Sequence, residues 1–165
     1  MKSYHVKQKV RLGGERFEIF DAANRLAYQA AGSFLKIPKT FKISRSDGSE
    51  VASIKKQLLT FLPGFEVVLA KGSRFRIKKK WTFFRDRYEL TDFDLTVQGN
   101  FWDLKFKLVD NQSQLVAEID KELFHLSSHY NITIFDEAYE ELVISLVVAI
   151  DYVEAMEDAA NSKNH

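Results

Sequence analysis

Between Arg74 and Arg87 the chain reads RFRIKKKWTFFRDR, with seven basic residues against one acid. In an extended strand successive side chains point to opposite faces. Phe75, Ile77 and Trp81 then share one face, and Arg74, Arg76, Lys78 and Lys80 share the other. An outward stripe of four cations suits phosphate, an anionic lipid headgroup or a membrane surface. Aromatic residues interleaved with cations also describe a platform for single-stranded nucleic acid. Here alternation turns the aromatics inward, so nucleic acid is not expected. The competing reading is structural: Glu66 and Glu89 on neighbouring strands also face outward, and cross-strand pairing would neutralise part of the stripe.

Three other groups could carry chemistry. Lys56, Lys79 and Lys121 fall at inward-facing positions, with Gln8, Gly32 and Gly99 at the equivalent places elsewhere. They would form a polar ring at one mouth of a barrel, able to hold an anion. The alternative is that the lysines snorkel to water while the glycines make room for a helix. His125 and His129 have the i, i+4 spacing of helical metal ligands, but they fall in a hairpin connection rather than a helix, and no metal is expected. Asp92 and Asp94 could pair for acid–base work, yet aspartates at a turn more often bond their own backbone. Trp102 is a half-exposed aromatic suited to a lipid or protein interface, or to capping a turn. No phosphate loop, nucleophile elbow or cofactor motif is present, so neither a catalytic residue nor a cofactor is assigned.

Composition narrows the setting. The 165 residues carry a formal net charge of +1 and no cysteine. Disulfides, thiolate metal sites and a cysteine nucleophile are excluded, and a reducing compartment is suggested. The opening MKSYHVKQKVRLGG has no apolar run of the kind a secretory signal needs. Leu142 to Ile150 is apolar except for Ser145, but it is about half the roughly 20 residues that cross a bilayer. Acidic residues flank it on both sides. These features point to a cytoplasmic protein, at most peripheral at a membrane. A helix apolar on every face must still be enclosed, and with no membrane span the enclosure is protein.

The elements that would enclose it repeat. An aromatic, a polar and an aliphatic residue recur as Phe17-Glu18-Ile19, Phe41-Lys42-Ile43, Phe65-Glu66-Val67, Tyr88-Glu89-Leu90, Phe106-Lys107-Leu108 and Tyr130-Asn131-Ile132. An apolar anchor precedes each: Val6, Ala30, Ile54, Ile77, Val97 and Ile119. Each unit holds two runs of period-2 alternation, the mark of a strand. Turn formers separate the units, among them Asp21 to Asn24, Ser46 to Ser49 and Asp110 to Ser113. Six hairpins give twelve strands. From about Asp136 to Met156 the period becomes helical, with Asp136 as the N-cap and an acidic first turn. A closed barrel of twelve strands leaves a lumen that needs a plug, and a helix about 10–12 Å across fits it. The expected fold is a mainly β, closed antiparallel twelve-stranded barrel around a C-terminal helix, in which Leu142, Val143, Leu146, Val147 and Ile150 are buried. One domain spans residues 1–158, with a loose tail at 159–165.

The ordered set Val6-Lys-Gln-Lys-Val10, Ile54-Lys-Lys-Gln-Leu58 with Phe61-Leu-Pro63, Gly99-Asn-Phe-Trp-Asp103 and Leu146-Val-Val-Ala-Ile-Asp151 resembles the LURP-one-related proteins, bacterial branch included. The resemblance covers the chain from about Tyr4 to Glu154. It implies kinship with tubby C-terminal and phospholipid scramblase domains, whose fold is a twelve-stranded barrel around a C-terminal helix. Through them it implies a non-catalytic domain that binds an anionic phospholipid headgroup, a phosphate ligand or a membrane surface. The alternative is a soluble protein-interaction scaffold with an unknown partner, and an enzyme at a barrel mouth ranks third.

Overall fold

The computed structural model describes residues 1–11, 14–32, 40–57, 64–78, 87–90, 93–100, 105–124 and 127–162. Twelve strands follow one another: β1 (Lys2–Arg11), β2 (Gly14–Asp21), β3 (Leu26–Gly32), β4 (Thr40–Arg45), β5 (Glu50–Gln57), β6 (Gly64–Leu69), β7 (Arg74–Lys78), β8 (Arg87–Leu90), β9 (Leu95–Asn100), β10 (Lys105–Val109), β11 (Leu115–Phe124) and β12 (Ser127–Ile134). A 3₁₀ turn (Glu137–Tyr139) leads into α1 (Glu140–Ser162). The turns between strands use the expected chemistry. Asp21 Oδ1 accepts from the amides of Ala23 and Arg25, both at 2.9 Å, and Asn24 takes the left-handed conformation at φ 59°.

The sequence repeat is the register of the sheet. Each anchor pairs with the aliphatic residue of its own unit: Val6 with Ile19, Ala30 with Ile43, Ile54 with Val67, Val97 with Leu108 and Ile119 with Ile132. Each aromatic pairs with the next unit's anchor: Phe17 with Ala30, Phe41 with Ile54, Phe65 with Ile77, Tyr88 with Val97 and Phe106 with Ile119. The series is cyclic, because Tyr130 of the last unit pairs with Val6 of the first.

The cycle breaks once, and the closed barrel is thereby corrected. The sheet runs β7-β6-β5-β4-β3-β2-β1-β12-β11-β10-β9-β8, so β7 and β8 are its two ends. Among the described residues no pairing joins them; the rule that holds elsewhere would have set Ile77 against Leu90. The helix is enclosed without that last ladder, so burial of the core does not demand it. The two end strands are also the shortest elements near the seam, at five and four residues. Side chains partly bridge it: the rings of Phe75 and Phe93 meet edge to face at 6.0 Å.

The open sheet nevertheless wraps the helix. Val143, Ile144, Leu146, Val147, Ala149 and Ile150 have no exposed surface, and Leu142 and Val148 are nearly as deep. Inward residues from strands all around the sheet, among them Phe17, Ile43, Val67, Val97 and Ile132, share that core. Ser145 resolves its polarity locally, its hydroxyl donating to the Glu141 carbonyl at 2.6 Å. The helix differs from expectation at both ends. Asp136 does act as a cap, accepting from the Ala138 amide at 3.0 Å, but it caps the 3₁₀ turn, and α1 begins at Glu140. Beyond Met156 the helix continues to Ser162, into the segment expected as a loose tail. The glycines also differ: a Cβ on Gly32 would sit 2.1 Å from the Phe41 ring, and one on Gly99 would sit 2.6 Å from the Lys105 carbonyl. They make room for neighbouring strands, not for the helix.

Val147→Asp would place an uncompensated carboxylate in this core, at an expected cost of about 3–5 kcal/mol. Chemical denaturation should show the midpoint collapsing; a wild-type midpoint would place the helix outside the sheet's concave side. A chain ending at Phe135 should lose cooperative unfolding, because nothing else fills the apolar trough.

Candidate functional site

Three polar groupings stand out, and residues of the first two are among those the sequence singled out. The first is the outer face of β5, β6 and β7. Arg74 and Arg76 point outward as expected, and both converge on one oxygen of Glu66: Arg76 Nε at 3.6 Å and Arg74 Nη1 at 3.9 Å. Cross-strand pairing with Glu66 therefore exists. It is shared rather than complete, because the side chains of Arg74 and Arg76 stay 65% and 58% exposed while that of Glu66 is 20% exposed. Register adds a third cation, with Lys55 directly across from Glu66 on β5 and Arg76 directly across on β7. Lys78 lies opposite Gly64, which offers no carboxylate; its side chain, and all of Lys80, fall outside the described residues.

Three cross-strand ion pairs elsewhere on the sheet are one to one. Lys107 meets Glu118 at 3.3 Å, Lys42 meets Glu50 at 3.1 Å and Lys105 meets Asp120 at 4.0 Å. At Glu66 two cations share one carboxylate, as they also do at Glu141 and Glu137.

The lysine ring resolves differently. The position two residues after each anchor is the register partner of its unit's aromatic: Gln8 faces Phe17, Gly32 faces Phe41, Lys56 faces Phe65, Gly99 faces Phe106 and Lys121 faces Tyr130. Lys121 is half-buried with its Nζ 5.4 Å from the Tyr130 ring centre, a cation–π distance. The Tyr130 hydroxyl donates in turn to Asp151, which is 4% exposed on α1. The side chain of Lys56 and all of Lys79 lie outside the described residues. So do His125, Asp92 and Trp102 and the side chain of His129, while Asp94 occupies a left-handed turn position at φ 52°.

The grouping that sequence reasoning missed lies where α1 enters the sheet. Glu140 is 7% exposed. It accepts from Lys2 Nζ at 2.6 Å, Tyr4 Oη at 2.6 Å and Tyr28 Oη at 2.5 Å. The two tyrosine rings meet edge to face at 5.8 Å. Arg45 pairs with Glu141, reaches the Tyr28 hydroxyl at 3.5 Å and stands 5.5 Å over its ring. Lys71 approaches Glu141 at 3.6 Å. Lys2, Tyr4, Tyr28, Arg45 and Glu140 line an open cleft of about 470 Å³ together with Asp21, Arg25 and Asp47. Burial alone would raise the Glu140 carboxyl, but hydrogen bonds from Lys2, Tyr28 and Tyr4 outweigh it and hold the group below its usual range. Burial and the bond to Glu140 push both tyrosine hydroxyls well up. Cations and carboxylates are matched here, so the cleft ties the helix start to the sheet instead of offering free charge. A signal existed in the chain: Tyr4 and Tyr28 each lie two residues before an anchor, on the inward face, and a buried phenol needs a partner.

With this geometry in view, comparison with known proteins is decisive on kinship. The family model for LURP-one-related proteins matches residues 2–151. The chain belongs to the LURP-one-related family. A Bacillus subtilis (strain 168) relative, called uncharacterized protein YxjI, is 23% identical over 151 residues, covering 90% of this chain and 91% of the relative. An X-ray structure of a protein from Arabidopsis thaliana superposes with a TM-score of 0.54 at 14% identity, covering 92% of this chain and 91% of that one. At that identity the likeness speaks for the fold. No helix among the described residues is long and apolar enough to cross a membrane.

The Glu140 network makes a pH prediction. A carboxyl held low in the folded state stabilises fully above its unfolded value, near 4.5, and that stabilisation is lost as pH falls through the folded value. The melting temperature should therefore drop as the solution is acidified below about that point. Glu140→Gln should lose about 2 kcal/mol at neutral pH, the scale of a hydrogen bond to a charged group. Its acid decline should be shallower than that of the parent. Parallel acid slopes would assign the acid sensitivity to other carboxylates.

Proposed function

We propose that this LURP-one-related chain is a non-catalytic module that docks on an anionic phospholipid surface through the outer face of β5 to β7. The observation that supports it is the pair of exposed arginines, Arg74 and Arg76, that share one oxygen of Glu66, with Lys55 in register across from Glu66 on β5. Each cation near an anionic bilayer contributes about 1 kcal/mol, screened by salt. By sequence alternation alone, Lys78 and Lys80 would extend the same series. The non-catalytic reading rests on the absence of a catalytic motif from the sequence.

A protein-interaction role is the second reading, and the open seam favours it. An edge strand such as β7 can pair with another chain, although its basic side chains also guard against indiscriminate pairing.

Co-sedimentation with vesicles separates the two. Binding to vesicles containing anionic lipid should be clear at low salt, weaken steeply at moderate salt and be absent with neutral lipid. Reversing Arg74, Arg76, Lys78 and Lys80 to glutamate together should abolish it while leaving the melting temperature within a few degrees of the parent. No association of the parent at low salt would remove the lipid reading and leave the protein-interaction role.

A further inference from the structure

We propose that β7 is a docking edge for an extended segment of a partner protein that alternates carboxylate and apolar residues and adds to the sheet as a further antiparallel strand. This gives the protein-interaction reading a partner class and rests on that reading. The direction of the backbone groups carries it. At the turn between β6 and β7 the Leu69 amide donates to the Ser73 carbonyl at 2.8 Å. Hydrogen-bonded and non-bonded pairs alternate along an antiparallel ladder. In the register of these strands Val67 and Phe75 are then a bonded pair, whereas Val68 with Arg74 and Glu66 with Arg76 are not. Arg74 and Arg76 therefore turn their N–H and C=O groups away from β6 and toward the seam. Among the described residues no strand meets them there.

The same two residues carry the outward cations. A strand bonded to their backbone sets its own outward side chains directly across from both guanidinium groups, where opposite charge stabilises and like charge destabilises. The arginines keep donors for such a partner. Their side chains are 65% and 58% exposed, and they stand 3.9 and 3.6 Å from the shared Glu66 oxygen, beyond the about 2.7–2.9 Å of a charge-assisted hydrogen bond. Between the two acids, one side chain of the incoming strand points inward, beside Phe75. That ring is 3% exposed, and Phe93 packs edge to face against it at 6.0 Å. Phe93 is thus a placeholder that an apolar partner side chain replaces. The recognised pattern is carboxylate, apolar, carboxylate. Edge cations that turn away unsuited strands thereby select this one.

The test uses the full chain and a fluorescent, end-capped peptide of alternating glutamate and valine, with binding read by anisotropy. Two controls have the same length: one groups the glutamates before the valines, and one carries lysine in place of glutamate. The alternating acidic peptide should bind about tenfold more tightly than either, the scale of two cross-strand charge pairs made or lost. Methylating its glutamate amides, which donate to β7, should abolish binding, whereas methylating its valine amides, which point away, should not. Arg74→Gln with Arg76→Gln should bring the acidic and lysine peptides within about twofold, with a melting curve to confirm the fold. Equal binding of the alternating and grouped acidic peptides would overturn strand addition and leave a charge-driven protein interaction standing. No binding of any peptide would overturn both and leave the lipid surface as the use of this face. Dimers of the parent alone that the peptide dissociates would make a second copy the occupant and overturn the partner assignment.

Discussion

The structure depends on one demand: a helix without a polar face needs a wall on every side. From Leu142 to Ile150 every residue of α1 is buried, Ser145 included. Water cannot serve any face of such a segment, and a bilayer would need it about twice as long. A single layer of strands with inward anchors meets the demand. The sheet needs to curl far enough to shield the helix, and that does not require its last pair of strands to form a ladder. Aromatic contact between Phe75 and Phe93 at the seam serves packing without hydrogen bonds.

Enclosure leaves the question of depth, since an apolar rod in an apolar trough could slide. Polar contacts near both ends of the buried stretch address it. Glu140 is held by Lys2, Tyr4 and Tyr28 where the helix begins, and Asp151 is held by Tyr130 eleven residues on. At 1.5 Å per residue these pins lie about 16 Å apart along the axis. Shifting the helix by one turn would leave two carboxylates buried away from their donors, a loss of several kcal/mol. Tyrosine suits the task because its ring belongs to the core while its hydroxyl supplies the bond.

Most of the wall was legible in the chain because its physics is local and periodic. Alternation set which residues face inward, and the repeat of aromatic and anchor turned out to be the pairing register itself, Phe17 with Ala30 and Phe41 with Ile54. Closure was not legible in the same way. It depends on a single pair of strands, β7 and β8, within a unit whose anchor-to-aromatic spacing matches that of the first three. The stripe's direction could be read, and Glu66 was identified as its neighbour. That two arginines would share one of its oxygens could not be, since sharing depends on how strands twist relative to one another. The cleft around Glu140 escaped because its members come from β1, β3, the end of β4 and the helix, and no spacing rule connects them.

The pairing of β1 with β12 carries a consequence for how the protein is made. Tyr4 meets Glu140 across 136 positions of sequence, and Val6 cannot find Tyr130 until nearly the whole chain has left the ribosome. Strands β1 to β7 can form successive hairpins during synthesis, but their apolar side stays uncovered until α1 emerges. Long-range contacts of this kind slow folding, and the waiting sheet presents the sort of surface that chaperones capture and that aggregates at high concentration. Slow translation of the final third would lengthen that exposure, so yield in a cell depends on how quickly the carboxyl end follows the rest.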